Sequence, residues 1–295
     1  MTTDALDTQL VMQAVNELRG AIVANSQNMI DHVGKTILDL SLQIDAVENR
    51  LLERMIAQRT FLPLNTEVPS ARQRPKLVNA PSLGEAFARL KAAAPLNWDT
   101  YLTCLDAGTA SYKGLPPDSC ATDAHSQSLL FKAFLRPYLR GYVLDVGCGP
   151  QSVPSYLKDF PSEQIFGIDP ISDQADHPFP FVPGVGEYLP FHDEAFDVVI
   201  SGTTLDHYYL LDQGLREAER VLQPGGHFVA WITEFAGAPP YDPYSSAIMP
   251  HDSEHMYHID RVWFLPLMDK FGFSPIEIIH FKLPFNYLFM SFAKR

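Results

Sequence analysis

Residues 142–232 alternate between apolar runs typical of β-strands and segments with helical spacing. The strand-like runs are YVLDVG, QIFGID, FDVVISG and HFVAWI, and helical spacing occupies the stretch up to Lys158 and the run GLREAERVL. Chains with this alternation fold as α/β domains with a doubly wound, mostly parallel sheet. The runs are apolar at consecutive positions, which indicates strands buried on both faces. We therefore predict an α/β fold for this part of the chain.

The N-terminal region, residues 1–60, predicts a long helical arm that is similar to a coiled coil. No proline occurs in residues 4–59, and apolar residues recur there at steps of mostly three or four. So narrow a stripe favours a helix that packs against a partner helix, and Asn25 on the same stripe can set register and strand number. We expect homo-oligomerisation through residues 4–59. The alternative is an intramolecular hairpin that breaks near Gly20 or Gly34.

The region between the arm and the first strand divides into a linker and the start of the domain. Residues 61–82 contain four prolines and little periodicity, which predicts a linker. Ser82 can cap a short helix over LGEAFARLKAAA, and an irregular stretch then leads to Thr122. A second helix follows over HSQSLLFKAFLRPYL. We therefore divide the chain into an arm (1–60), a linker (61–82) and a catalytic domain (83–295).

Charge and cysteine usage exclude several classes of protein. The formal net charge is −13, and a surface this acidic repels a phosphate backbone, so we expect no nucleic-acid partner. The three cysteines show no paired spacing or metal-ligand pattern, which indicates free thiols in a reducing compartment. We find neither a signal-peptide pattern nor an apolar run long enough for a transmembrane segment. We expect a cytoplasmic protein.

Two strand ends carry residues suited to a nucleoside ligand. The first strand runs into Asp145-Val146-Gly147-Cys148-Gly149-Pro150. The two glycines let the backbone approach a ligand closely, and the Asp145 carboxylate can accept hydrogen bonds from an ammonium group. A dinucleotide fingerprint would need a third glycine where Ser152 stands. The second strand ends in Asp169, a position that suits a ribose diol. A structural turn remains the alternative at both places.

Four blocks in order resemble the class I S-adenosylmethionine-dependent methyltransferases, a family that includes many small-molecule methyltransferases. They are VLDVGCGP, FGIDP, GVGEYLPFHDEAFDVVISGTTLDH and EAERVLQPGGHFVAWI. The resemblance covers about residues 142–232. It implies a Rossmann-like, seven-stranded sheet that the two C-terminal runs, PIEIIHF and YLFMSFAKR, close as an antiparallel pair. It also implies S-adenosylmethionine as the cofactor.

The resemblance assigns cofactor-binding residues by position. Asp145, Gly147 and Gly149 would hold the methionine part, and Asp169 the ribose hydroxyls. Gly186 and Glu187 would lie beside the adenine, and Ser201 would follow the fourth strand under the sulfonium centre. Many relatives have an Asp before the adenine pair, whereas this chain has Val185, so backbone contacts would have to serve there. Tyr112 and His125 precede the first strand, in a segment that would cover the cofactor cleft.

Candidate catalytic residues follow the fourth and fifth strands. Asp206 and His207 lie just past the fourth strand, where a base could act or a loop could be oriented. His255 and His258, in an insertion that builds substrate pockets in this family, could line a pocket or bind a metal together with an Asp. They could equally be surface or packing residues. We expect no metal.

We therefore expect methyl transfer to a small-molecule or carbohydrate acceptor, at oxygen. Aromatic and histidine residues in the insertion suit a hydroxyl acceptor, and a long helical arm suits enzymes that act on glycans by an architectural analogy. A rival function is a catalytically silent scaffold that binds the cofactor and assembles through the arm. A second rival is an enzyme of the same fold that uses the cofactor differently or binds another nucleoside.

Overall fold

A computed structural model describes most of the chain. The described residues are 3–70, 72–78, 80–112, 122–171, 176–247, 252–282 and 286–295, with side chains from residue 13 onward. They form two compact units, Met1–Arg50 and Leu51–Arg295.

The arm is a single helix, α1, which spans Thr3–Ala57. It runs through Gly20 and Gly34 without a break, so the hairpin alternative is wrong. A glycine inside a helix costs about 1 kcal/mol relative to alanine, which the continuous hydrogen bonding on either side can absorb. The described apolar side chains of the stripe are solvent-exposed along the chain itself. Within the described residues, no helix has the length and apolar character needed to cross a bilayer.

A seven-stranded sheet forms the centre of the second unit, in the order β3-β2-β1-β4-β5-β7-β6. The strands are β1 (Val143–Val146), β2 (Ile165–Asp169), β3 (Phe181–Pro183), β4 (Phe196–Gly202), β5 (Leu222–Thr233), β6 (Phe273–Phe281) and β7 (Tyr287–Lys294). Strands β1 to β5 pair in parallel, and β7 pairs antiparallel with both β5 and β6. The predicted doubly wound α/β fold is confirmed. The order reverses at β1, where open α/β sheets place their ligand crevice.

Helices accompany this sheet. They are α2 (Leu83–Ala93), α3 (Trp98–Tyr112), α4 (Ser126–Leu135), α5 (Leu211–Val221) and α6 (Arg261–Lys270). Ser82 and Glu85 form the capping box that begins α2. The prediction of an irregular stretch after α2 is wrong for α3, which fills Trp98–Tyr112. Its helical spacing was obscured by small and polar residues, which are frequent in loops.

Two clusters of buried residues form the core on opposite faces of the sheet. Val143 and Val198 belong to one cluster, whereas their chain neighbours Leu144 and Val199 belong to the other. Because side chains alternate across a strand, these neighbours point to opposite faces. Ile56, from the last turn of α1, is fully buried in the first of these clusters.

The residues predicted to form a linker hydrogen-bond to the domain. Arg72 donates to the carbonyl oxygens of Glu194 and Ala195, and the Val78 amide donates to the Pro190 carbonyl. These bonds hold the described part of the segment against residues 190–195, which directly precede β4.

Candidate functional site

A cavity opens at the carboxyl ends of β1, β2 and β4. The cavity is open to solvent, and together with the space at its mouth it has about 750 Å³ free of protein atoms. Its wall consists of Tyr101, Cys104, Leu105, Gly108, Thr109, Tyr112, Gly147, Cys148, Gly149, Gln151, Tyr156, Asp169, Pro170, Ile171, Gly202, Thr203, Thr204, His207 and Glu254. Its position at the carboxyl ends of parallel strands is the place where open α/β sheets bind ligands.

The glycine loop after β1 forms the floor of this cavity. Gly147 and Gly149 have φ angles of +79° and +72°, in the left-handed region that favours glycine. A Cβ atom on Gly147 would lie 2.3 Å from Cγ2 of Thr204. The Gly147 amide donates to the Ile168 carbonyl at 2.8 Å, which fixes the loop beside β2. The loop therefore requires glycine at this place and brings its backbone to the cavity.

Asp169, the last residue of β2, connects that strand to the loop. One carboxylate oxygen accepts from the Gly149 amide and the other from the Ile171 amide, each at 2.8 Å. Asp169 also borders the cavity. A carboxylate at the end of this strand can accept hydrogen bonds from ribose hydroxyls in α/β folds.

Asp145 in β1 is fully buried and accepts a hydrogen bond from the hydroxyl of Tyr156, which borders the cavity. Burial raises the pKa of Asp145 to about 7. No cation among the described residues pairs with this carboxylate. The site therefore has a buried acid that a positively charged ligand group would stabilise.

The end of β4 contributes a strained turn. Thr203 has a φ angle of +55°, which is uncommon for a β-branched residue, and its amide donates to the Trp231 carbonyl at 2.7 Å. Gly202, Thr203 and Thr204 line the cavity, whereas Ser201 is fully buried outside its wall. Strain of this kind clusters at ligand sites, where the surrounding structure maintains it.

Helix α3 supplies a wall that the sequence reasoning missed. Its cavity-lining residues are Tyr101, Cys104, Leu105, Gly108, Thr109 and Tyr112. These residues are spaced one, three or four positions apart, which places them on one face of the helix. This spacing is the sequence signal from which the wall could have been predicted. Tyr112 was expected in the cofactor site and does border the cavity. Residues 113–121 belong to the segment that was predicted to cover the cofactor cleft, and they lie outside the described residues.

Four predicted catalytic residues cluster beside the cavity, and His207 is the one of them that borders it. Nδ1 of His207 lies 3.0 Å from the Glu254 carbonyl oxygen, and its ring lies 4.6 Å from that of His255, centroid to centroid. Nε2 of His255 is 3.8 Å from Asp206. His258 stacks on Phe235 and does not border the cavity.

Asp252 organises the histidines from the insertion. Its carboxylate lies 2.8 Å from Nδ1 of His255 and 3.2 Å from Nε2 of His258. Burial favours a higher pKa for Asp252, but hydrogen bonds from the amides of Glu254 and His255 hold it well below its usual range. The Asp252 carboxylate is therefore ionised when His255 and His258 approach it. His251, also in this insertion, lies outside the described residues.

Other predicted residues lie away from the cavity wall. Glu187 is buried and accepts from the amides of Tyr209 and Leu210 at 2.7 and 3.1 Å, so its carboxylate serves the chain itself. A Cβ atom on Gly186 would meet the Tyr208 hydroxyl at 2.4 Å, so close packing explains this glycine. His125 precedes α4, with its ring 5.5 Å from that of Trp231. The expected role of these residues toward the cofactor stays a prediction.

Comparison with known proteins relates part of the chain to a family. Residues 144–230, less than a third of the chain, match the family model described as a methyltransferase domain. This match, together with the strand order, supports a class I S-adenosylmethionine-dependent methyltransferase domain over this part of the chain.

Individual relatives match over part of their length. The uncharacterised protein YafE of Escherichia coli is 30% identical over 105 residues, which are 35% of this chain and 51% of YafE. A demethylmenaquinone methyltransferase of Chlorobaculum tepidum is 33% identical over 98 residues, 31% of this chain and 40% of the relative. A fatty-acid O-methyltransferase of Mycolicibacterium smegmatis is 36% identical over 96 residues, which are 30% of this chain and 35% of the relative. The chain thus spans about half or less of these proteins.

Among solved structures, the chain is similar to the 1,6-didemethyltoxoflavin-N1-methyltransferase of Burkholderia thailandensis, determined with bound 1,6-didemethyltoxoflavin and S-adenosylhomocysteine. The TM-score is 0.47 at 19% identity, over 79% of this chain and 99% of the other.

Proposed function

We propose that this protein transfers a methyl group from S-adenosylmethionine to the oxygen of a small-molecule acceptor. The observation that carries the proposal is the hydrogen bond between the Gly149 amide and the Asp169 carboxylate. It places the glycine loop and the strand-end acid beside the same cavity. It lies inside a domain whose sequence matches a methyltransferase family.

The residues at the cavity wall, and Asp145 behind it, fit this cofactor. Asp145 is a buried acid with no cation among its described partners, as suits an amino-acid ammonium group. The backbone at Gly147 and Gly149 approaches closely enough to hold the rest of the methionine part, and Asp169 would accept from the ribose hydroxyls. When bound, the cofactor supplies a methyl group on a sulfonium sulfur. The chain's task is then to align the acceptor for in-line displacement.

The α3 wall supports an acceptor with an apolar body. Tyr101, Leu105 and Tyr112 present aromatic and aliphatic surface to the cavity. The fatty-acid O-methyltransferase among the relatives acts, by its name, on such an acceptor. The expected carbohydrate acceptor remains a prediction.

His207 is the polar residue best placed to meet an acceptor hydroxyl, since it borders the cavity. In the tautomer in which Nδ1 of His207 donates a hydrogen bond to the Glu254 carbonyl, Nε2 has a lone pair that could accept the proton of an acceptor hydroxyl. Asp206, His255 and His258 lie behind His207, so we assign them positioning roles.

We also propose that the chains assemble through α1. The arm exposes apolar side chains at a spacing that suits a second copy of the same helix, and Asn25 lies on that stripe. The rival function, a silent scaffold, would keep this assembly and the cofactor but transfer no methyl group.

Calorimetric titration with S-adenosylmethionine tests the cofactor. We expect the full chain to bind it and Asp169→Ala to bind at least about tenfold more weakly, because about 1.4 kcal/mol of ribose contact is lost. Asp269→Ala removes an exposed carboxylate of the same type and serves as the matched control. Absence of binding by the parent chain would contradict the proposal.

Transfer of a labelled methyl group to a panel of phenols, hydroxy fatty acids and sugars tests the activity. We expect label in a hydroxyl compound with an apolar body. A chain that binds the cofactor but labels no compound supports the scaffold or the rival enzyme.

A further inference from the structure

We propose that Asp206, His207 and His255 form a binding site for a divalent transition-metal ion at the wall of the cavity. Their ligand atoms lie within 4.8 Å of one another. Two imidazoles and one carboxylate form a ligand set that binds ions such as Zn²⁺ or Fe²⁺ and leaves coordination positions open. This inference differs from the sequence expectation of no metal.

The spacing of the three groups suits a shared ion rather than direct hydrogen bonds. Nε2 of His207 lies 4.0 Å from Oδ1 of Asp206, and Nε2 of His255 lies 3.8 Å from Oδ2. Both distances exceed a hydrogen bond. Ligand atoms bound at about 2.0–2.2 Å to one ion lie about 3–4 Å apart, so each carboxylate–imidazole pair could share an ion.

Each histidine is already oriented with Nε2 toward the carboxylate. Nδ1 of His207 faces the Glu254 carbonyl, which accepts only, and Nδ1 of His255 faces the Asp252 carboxylate. Both contacts favour a proton on Nδ1, so Nε2 is the atom of each ring that would ligate an ion. Partners of this kind behind a metal-binding histidine set its tautomer and its ring orientation.

A cation would resolve the charge problem in the middle of the cluster. Asp206 is buried, and its Oδ1 atom has no hydrogen-bond partner among the described residues. A buried carboxylate oxygen without a partner is costly, and a metal ion shared with the two Nε2 atoms would satisfy it.

The backbone holds the two contributing segments together without the ion. The Met256 amide donates to the Asp206 carbonyl at 3.0 Å, and the Tyr257 hydroxyl donates to the Leu205 carbonyl. The site is therefore largely formed before a metal binds. Because His207 borders the cavity, an acceptor oxygen could complete the coordination, a step that rests on the proposed function. His207 would then be a ligand rather than the proton acceptor.

Zinc titration of the chelator-stripped full chain tests the site without any cofactor. We expect one equivalent of Zn²⁺ per chain. Asp206→Asn and His255→Gln should each weaken binding at least about 100-fold, because each removes a direct ligand. His32→Gln, on the exposed arm, is the matched histidine control, and thermal melts of the stripped proteins check that each variant is folded. Co²⁺ in place of Zn²⁺ gives visible absorption bands that report the coordination, and these should be absent from Asp206→Asn.

Two results would overturn the proposal: stoichiometric binding that Asp206→Asn leaves unchanged, or no binding by the parent chain. The first result, combined with loss in His258→Gln, would move the ion to the neighbouring group of Asp252, His255 and His258. Binding of S-adenosylmethionine by the stripped chain is measured separately, so failure of the metal site and failure of the proposed function remain distinguishable.

Discussion

At the scale of single residues, the candidate site depends on carboxylates in unequal environments. Asp169 accepts hydrogen bonds from two backbone amides, whereas the fully buried Asp145 accepts one from the Tyr156 hydroxyl. The sequence predicted both acids because each follows a strand motif. The same resemblance placed Glu187 beside the adenine. The sequence did not indicate that the Glu187 carboxylate accepts hydrogen bonds from the amides of Tyr209 and Leu210. That contact depends on how α5 begins, which is a tertiary feature.

Asp145→Asn tests the buried acid through pH. The pKa of Asp145 is about 7 in the folded chain against an ordinary 3.8, so the folded state binds the proton more tightly and its stability falls as pH rises between these values. Asparagine cannot ionise. We expect the Tm of Asp145→Asn to equal that of the parent near pH 4 and to exceed it by roughly 10 °C at pH 8, because a pKa raised from 3.8 to about 7 corresponds to about 4 kcal/mol. S-adenosylmethionine affinity should fall in the parent as pH drops below about 7.

Thermal melts across this pH range provide the measurement, with Asp269→Asn as the control for an exposed carboxyl group. A Tm difference between Asp145→Asn and the parent that does not change with pH would show that ionisation of Asp145 is not its cause.

At the scale of elements, strands were predicted more reliably than helices. The runs around β1, β2 and β4 are apolar and end at glycine or aspartate, so pattern and position agree. Strand β3 has only three residues and gave no apolar run, and α3 begins next to Pro95 in a stretch of small residues. Both depend on neighbours already in place, since β3 pairs along β2 and α3 packs through Trp98 and Tyr101.

Gly108 tests whether α3 is a wall of the ligand site. It lies inside the helix and borders the cavity, and a Cβ atom there would meet nothing within 4 Å. We expect Gly108→Leu to fill the cavity and weaken S-adenosylmethionine or acceptor binding at least about tenfold. The fold should be retained, because leucine favours a helix over glycine by about 0.8 kcal/mol.

Gly84→Leu, at an open glycine position in α2, is the matched control for this experiment. Titration calorimetry and acceptor competition provide the readout. Unchanged affinity for both ligands in Gly108→Leu would place the binding site elsewhere.

At the scale of the whole molecule, the exposed stripe on α1 carries the proposal of assembly. We expect the full chain to be larger than a monomer by light scattering and Ile37→Lys to reduce its mass, because a charge at a packed helix interface is strongly unfavourable. Gln27→Lys adds the same charge off the stripe, about 140° from Ile22 and about 160° from Met29 around the helix, and should leave the mass unchanged. A monomeric parent chain would contradict this prediction.

The last turn of α1 bears on where the domain can be cut. Ile56 is fully buried, and Arg59 pairs with Glu277 at 2.6 Å beside the Tyr138 hydroxyl. Removing all residues before Pro81 would open a hole of one isoleucine, worth about 2–5 kcal/mol, and leave a half-buried acid without its guanidinium. The compact unit of the sheet starts inside a helix, at Leu51. We therefore expect a domain cut at the proline-rich boundary to be less stable than one that keeps the last turns of α1.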